Sequence, residues 1–346
     1  MRPLTIARNL ALGAAALTLA TTASLAQEVT LRLHQFLPSV AVVPSKILKP
    51  WAENIEKASN GRIKVEHYDA MALGGRPPEL YDQARDGVVD IIMTVTGYTP
   101  GRFLKSEVFE LPFMMRGSIA TSKAFWEFTE TELQNEEYKD VKVLGAWVHG
   151  PGVIHSIEPV NKLEDMAGKK VRGPTRVIND LLKEVGAVPV GMPLPAIPES
   201  LSKGVIEGTV IPWEVTPSIK LAELVKNHTE FAGDEALYTA TIVTVMNKDR
   251  YNSLPDDLRA IIDAESGMKL SEMAAREMLD GDAPGREIAV KAGNNIITLD
   301  EAEVARWKEA SRPVVDHWVA SVKERGIDGN AVIEKAKALI DKYQSQ

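Results

Sequence analysis

Apolar residues alternate with polar ones at Val29, Leu31 and Leu33, the period of a half-buried strand. The period then changes. Ile47, Leu48, Trp51, Ile55 and Ala58 fall on one helical face, and Asn60-Gly61 supplies a stop. Ile63 and Val65 open a second strand, and Pro78 to Arg85 reads as a helix. Asp90 to Val95 is a short apolar run of the kind a buried parallel strand requires. Further on, Val141 to Val148 predicts a strand, Thr175 to Val185 a helix stopped at Gly186, and Val188 to Val190 a strand. Pro198 to Lys203 predicts a short helix and Val205 to Ile211 another strand. This alternation predicts an α/β fold of parallel sheets flanked by helices. At Pro255 the character changes. With Asp256 and Asp257 in its first turn, a long helix is expected from there to about Leu279. Helices near Asp300 to Lys323 and Asn330 to Tyr343 finish the chain.

One internal echo bears on domain organisation. Gln83-Ala84-Arg85-Asp86-Gly87-Val88-Val89-Asp90-Ile91 is matched by Ser200-Leu201-Ser202-Lys203-Gly204-Val205-Ile206-Glu207-Gly208. In both, a helix ends at Gly, Val follows, and an acidic residue precedes a strand. Two such units, far apart in the chain, point to two lobes on one plan, and 346 residues suit two domains. No low-complexity linker separates them, so the chain is expected to cross between lobes more than once. Lobe I is expected to take 27–149 plus about 240–270. Lobe II is expected to take 150–239 plus the C-terminal helices to 346.

Residues Met1 to Ala26 read as an export signal. Arg2 and Arg8 form its positive region, Leu10 to Ala20 its short apolar region, and Ser24 and Ala26 its cleavage site. Its removal takes the net charge from −8 to −10. That acidity argues against a nucleic-acid partner. No later window is apolar enough to span a bilayer, so an exported, periplasmic protein and not an integral membrane protein is expected. The chain has no cysteine, which excludes disulfides, thiolate metal sites and a cysteine nucleophile.

Catalytic signatures are missing as well. The sequence has no G-x-G-x-x-G, no phosphate loop, no G-x-S-x-G and no H-E-x-x-H. Its six histidines are scattered, and the spacing of His149 and His155 does not put two rings on one helical face. No cofactor or metal is expected. An exported two-lobed α/β chain without catalytic motifs reads as a binding protein, its ligand held between lobes at the carboxyl ends of strands.

Four segments make this reading specific. They are Asp86-Gly87-Val88-Val89-Asp90, Glu110-Leu111-Pro112-Phe113, Leu163-Glu164-Asp165-Met166-Ala167-Gly168-Lys169-Lys170-Val171-Arg172-Gly173-Pro174, and Gly204-Val205-Ile206-Glu207-Gly208. Their order resembles the solute-binding subunits of tripartite ATP-independent periplasmic (TRAP) transporters, of the DctP-like, dicarboxylate-binding kind. The resemblance spans nearly the whole mature chain. It implies a two-lobed periplasmic binding protein fold closing on an organic acid, a long helix bridging both lobes, no catalysis, and a membrane permease as partner. It also makes Arg172 the residue that salt-bridges the ligand carboxylate. The chemistry agrees, because a guanidinium is a planar fork matched to a carboxylate.

Two departures from that family bear on the ligand. Its frequent second arginine falls at Gly152, and its frequent asparagine falls at Ile211, ahead of Pro212-Trp213-Glu214. Both losses remove polar contacts suited to sugar acids. An apolar or aromatic monocarboxylate is therefore expected, held by Arg172 with Trp147, Trp213 and Tyr98 nearby. Other candidates lie on strand-end loops: His34 and Phe36 after the first strand, His149 after another, and Glu214 as a hydroxyl acceptor, a partner of Arg172 in the open form, or a solvated rim carboxylate. Phe36 and Trp213 suit the core equally well, whereas Trp51, Trp126, Trp307 and Trp318 read as core. Two alternatives stand beside this one. One is a receptor for a zwitterion or sulfonate in an aromatic cage of Trp147, Trp213 and Tyr98. The other is a secreted hydrolase of organic acids or esters.

Overall fold

Val29–His34 (β1) lies between two parallel neighbours, Ile63–Tyr68 (β2) and Ile91–Val95 (β3), in a computed structural model that describes residues 27–345. The expected export signal falls outside the described residues. All five residues of β3 are buried, as its unbroken apolar run requires. Val141–Val148 (β4) completes this first sheet, separated from β3 by a strand from much later in the chain. A second sheet gathers Val153–Ser156 (β5), Lys170–Gly173 (β6), Val188–Gly191 (β7), Gly208–Ile211 (β8) and Asn227–Phe231 (β9). Thr241–Asn247 (β10) then returns to the first sheet, and Asn295–Leu299 (β11) to the second. The strand orders are β2-β1-β3-β10-β4 and β11-β9-β5-β8-β6-β7.

The sheets are mixed, not parallel as the alternation predicted. β10 is antiparallel to both β3 and β4, and β5 is antiparallel to β8 and β9. The reason is the route of the chain. A parallel neighbour needs a helical crossover, but β4 runs almost directly into β5 and β9 into β10 across the gap between lobes. A strand delivered by such a crossing takes whatever direction the crossing imposes. The chain does pass between the lobes more than once.

The long helix also differs from expectation. Asp256–Glu265 ends at Ser266-Gly267, and a new helix runs from Met268 to Lys291. Gly267 has φ +70°, a conformation that glycine adopts without strain, and its N–H donates to the Leu144 carbonyl at 2.7 Å. The second helix continues past Leu279 through Pro284, whose exposed position leaves the freed carbonyl to solvent. It packs on β4 and on Ser118–Phe128 in the first lobe and on the segment Trp213–Ile219 in the second, so it bridges the two. The two C-terminal helices, expected together on lobe II, divide. Glu301–Lys323 packs on Arg176–Glu184 of the second lobe, and Gly329–Gln344 packs on Ser118–Phe128 of the first. Trp51, Trp126, Trp307 and Trp318 are all buried in the core.

Candidate functional site

Parallel strands bring their carboxyl ends to one edge of a sheet, and here two such edges face each other. In the second lobe β6, β7 and β8 run parallel, so Arg172, Met192 and Ile211 come together. In the first lobe β1 and β3 deliver Phe36 and Tyr98, and β4 ends beside them at His149. Between the edges lies a narrow cavity of about 50 Å³. Its wall is mostly apolar, including Met93, Leu194, Ile211, Val215, Ile242 and Met278.

Arg172 is the one cation on this wall. It sits in β6, in register with Val190 and Thr209, and the turn Gly173-Pro174 leads on to Thr175, which caps the following helix. Its side chain is 1% exposed. Nε donates to the Met192 carbonyl at 2.8 Å and Nη1 to the Val210 carbonyl at 3.3 Å. These bonds hold the guanidinium plane, whereas Nη2 is buried without a partner. No carboxylate pairs with Arg172 among the described residues. An uncompensated charge in such a place is unfavourable by several kcal/mol, in the range of about 3–5 kcal/mol.

The remaining polar groups on the wall are few. Tyr98 accepts a hydrogen bond from the Leu194 N–H at 3.0 Å, and burial raises its pKa. The Tyr238 hydroxyl is buried with no partner. His149 lies 2.6 Å through Nδ1 from the Gly150 carbonyl, which only accepts, so Nδ1 carries the proton and Nε2 is left as an acceptor. Burial, with the Arg172 charge nearby, pushes the His149 pKa down to about 4. Glu214 is buried, and burial followed by the neighbouring Asp282 holds its pKa well above the carboxylate range. Asp282, on the long helix, accepts from the Glu214 N–H at 2.9 Å and is itself pushed by burial to about 7.

Of the residues singled out from sequence, Arg172, Phe36, Tyr98, His149, Glu214 and Ile211 line the cavity. The others do not. His34 is buried behind the wall, where Nδ1 pairs with Gln83 at 2.7 Å and Nε2 accepts from the Leu73 N–H at 3.3 Å. Trp147 is buried in the first-lobe core, its ring beside Gly145 on the face that Leu270 of the long helix covers. Trp213 donates to Glu230 at 2.8 Å and packs against His155 and His228, each ring centroid 4.9 Å away. The aromatic cage therefore loses both of its tryptophans. Gly152 acts one step back. A side chain there would run into the ring of Tyr238, so the missing Cβ admits Tyr238 to the wall. Sequence reasoning missed Tyr238, which lies on the crossing between β9 and β10 with no periodic pattern to mark it.

Several contacts tie one lobe to the other across this cavity. The Tyr98–Leu194 bond is one, and the close approach of Gly97 to Thr175 is another. Buried Glu107 in the first lobe pairs with Arg176 in the second. Away from the cavity, Asp180, Glu184 and His317 bring three possible metal-ligating atoms within 4.8 Å, but His317 already donates to Asp180 at 2.9 Å on a half-exposed surface.

Comparison with known proteins follows this geometry. Residues 39–321 match the family model DctP, described as bacterial extracellular solute-binding protein, family 7. A TRAP solute-binding protein from Rhodoferax ferrireducens, solved with copurified benzoate, is 47% identical with a TM-score of 0.90. The match covers 91% of this chain and 98% of that one. A marine metagenome TRAP solute-binding protein specific for aromatic acid ligands, solved with 3-hydroxybenzoate, is 46% identical with a TM-score of 0.90 over 92% of this chain and 99% of that one. A third, from Bordetella bronchiseptica with bound (R)- and (S)-mandelate, is 31% identical with a TM-score of 0.83, covering 90% of this chain and 99% of that one. Matched over most of its length in sequence and in fold, this chain belongs to the DctP family of extracellular solute-binding proteins, the solute receptors of TRAP transporters.

Proposed function

We propose that this receptor captures a small aromatic monocarboxylate, closes its lobes around Arg172, and hands the acid to a TRAP permease. The observation that carries the reading is the guanidinium of Arg172, buried in an apolar cavity with Nη2 unpartnered. A carboxylate supplies both the missing charge and the missing acceptor, and a charge-assisted hydrogen bond of this kind is worth roughly 1.5–3 kcal/mol. The rest of the wall has too few polar groups for a polyhydroxylated body. Each sugar hydroxyl buried there without a partner costs about 1–3 kcal/mol. Phe36, Tyr98 and Tyr238 instead offer ring faces and edges, worth about 0.5–1.5 kcal/mol per aromatic pair beyond area burial. The benzoate, 3-hydroxybenzoate and mandelate held by the three similar receptors support the same class. Closure fits a population shift, in which a ligand touching both lobes favours the state in which Tyr98 meets Leu194 and Glu107 meets Arg176.

A thermal-shift screen of ligand-stripped protein against aromatic monocarboxylates, uronates and C4-dicarboxylates tests this. Saturation at one hundred times Kd stabilises by about 2.7 kcal/mol, so benzoate-like acids are expected to raise Tm by several degrees. A shift confined to uronates or dicarboxylates contradicts the proposal.

A further inference from the structure

We propose that Glu214 reads a hydroxyl on the ring of the ligand, so that the receptor prefers hydroxylated aromatic acids to the unsubstituted acid. The inference rests on the aromatic-acid reading above. Glu214 follows β8 directly, in the segment Trp213–Ile219, and is 5% exposed on the cavity wall. Its backbone is fixed, because its N–H donates to Asp282 on the long helix. Its stem is fixed too. Gly281 of that helix packs so closely against the Glu214 Cβ that any side chain there would collide at 2.9 Å. The carboxyl has no hydrogen-bond or ion-pair partner among the described side chains, and Arg172 spends its bonds on the Met192 and Val210 carbonyls.

A carboxyl on an apolar wall without a side-chain partner calls for a polar group on whatever fills the cavity. A second carboxylate would add negative charge beside Glu214 and Asp282, two acidic groups already crowded together. A bare ring edge leaves the Glu214 carboxyl unsatisfied. A hydroxyl satisfies it in either protonation state, donating to a carboxylate or exchanging bonds with a carboxylic acid. Burial pushes the Glu214 pKa up, toward the form that donates as well as accepts. Glu214 and Arg172 line the same cavity without pairing with each other. A ligand anchored by its carboxylate at Arg172 shares this cavity with Glu214, which a hydroxyl on its ring can meet.

Calorimetric titration of ligand-stripped wild type, Glu214→Gln and Glu214→Leu with benzoate, 3-hydroxybenzoate and 4-hydroxybenzoate tests the inference. Wild type is expected to favour at least one hydroxybenzoate over benzoate by tenfold or more. Gln, which still donates and accepts, should keep that ratio within about threefold, and Leu should reduce it to near one. If the Leu variant does not fold, Glu214→Ala carries the same expectation without added bulk. Equal binding of benzoate and both hydroxybenzoates by wild type overturns the inference and leaves the aromatic-acid reading intact. So does a preference that survives in the Leu or Ala variant. Failure of wild type to bind any of the three acids overturns both.

Discussion

Arg172 shows how much a single position can carry when its neighbours are informative. The segment running from Leu163 to Pro174 makes it a candidate from sequence, and the ends of three parallel strands explain why it sits where an anion would. Arg172→Lys keeps the charge but loses the planar fork and the bonds that orient it. The variant is expected to bind an aromatic acid more than about tenfold more weakly, a loss of roughly 1.5–3 kcal/mol, while keeping the wild-type circular dichroism spectrum. Equal affinities in a titration would show that the carboxylate is held elsewhere. The two tryptophans teach the opposite lesson. Trp147 and Trp213 stand next to strand ends, but adjacency in sequence does not say which surface a ring covers. Both rings face packed neighbours instead, Gly145 and Leu270 for one, His155 and His228 for the other. Tyr238 was illegible for a related reason: only the space left by Gly152, far off in the chain, brings it to the cavity.

Among the elements, those built on local periodicity were legible and those built on crossings were not. β1, β3 and β4 follow from alternation or from short apolar runs. β5, β9 and β11 carry weaker patterns, and their direction depends on the route between lobes. β10, with its run of β-branched residues Thr241-Ile242-Val243-Thr244-Val245, was not among the expected strands, and neither was its place between β3 and β4. The break at Gly267 likewise depends on a tertiary bond to Leu144.

Strands β5, β8 and β9 also hold a buried chain of neutral histidines. Asn294 donates to His228 Nε2 at 3.0 Å, His228 Nδ1 faces His155 Nδ1 at 2.7 Å, and His155 Nε2 reaches the Ile211 carbonyl at 3.2 Å. Only uncharged rings satisfy this arrangement, and burial lowers both pKa values, that of His228 to about 4. A depressed folded-state pKa gives stability that is complete above about pH 6.5 and lost as pH falls toward 4, since the unfolded chain takes up the proton first. For His228 this amounts to about 3 kcal/mol. Glu110 and Asp282, each raised by burial to about 7, act with the opposite sign over the same window, so a difference between variants isolates the histidine. His228→Gln should therefore lose less stability than wild type between pH 7 and pH 4.5 in urea titrations. Parallel pH profiles for the two proteins would refute the assignment.

At the scale of the whole molecule, two facing sheet edges, several crossings and one bridging helix make a cavity whose walls belong to both lobes. In the proposed reading, a ligand that touches Arg172 on one side and Tyr98 and Phe36 on the other favours the state with the lobes together, which would link capture to closure. Glu107–Arg176 and Tyr98–Leu194 are the protein's own contributions to that state. The same shape supports the proposed ligand, a small acid with an apolar body.

The most direct test of this account is competitive titration calorimetry on ligand-stripped protein with benzoate, a uronate and succinate. Benzoate is expected to bind at least about a hundredfold more tightly than either competitor, a difference of about 2.7 kcal/mol, which two unpaired sugar hydroxyls or one unpaired carboxylate are enough to produce. Tight binding of the uronate or of succinate, with none of benzoate, would contradict it.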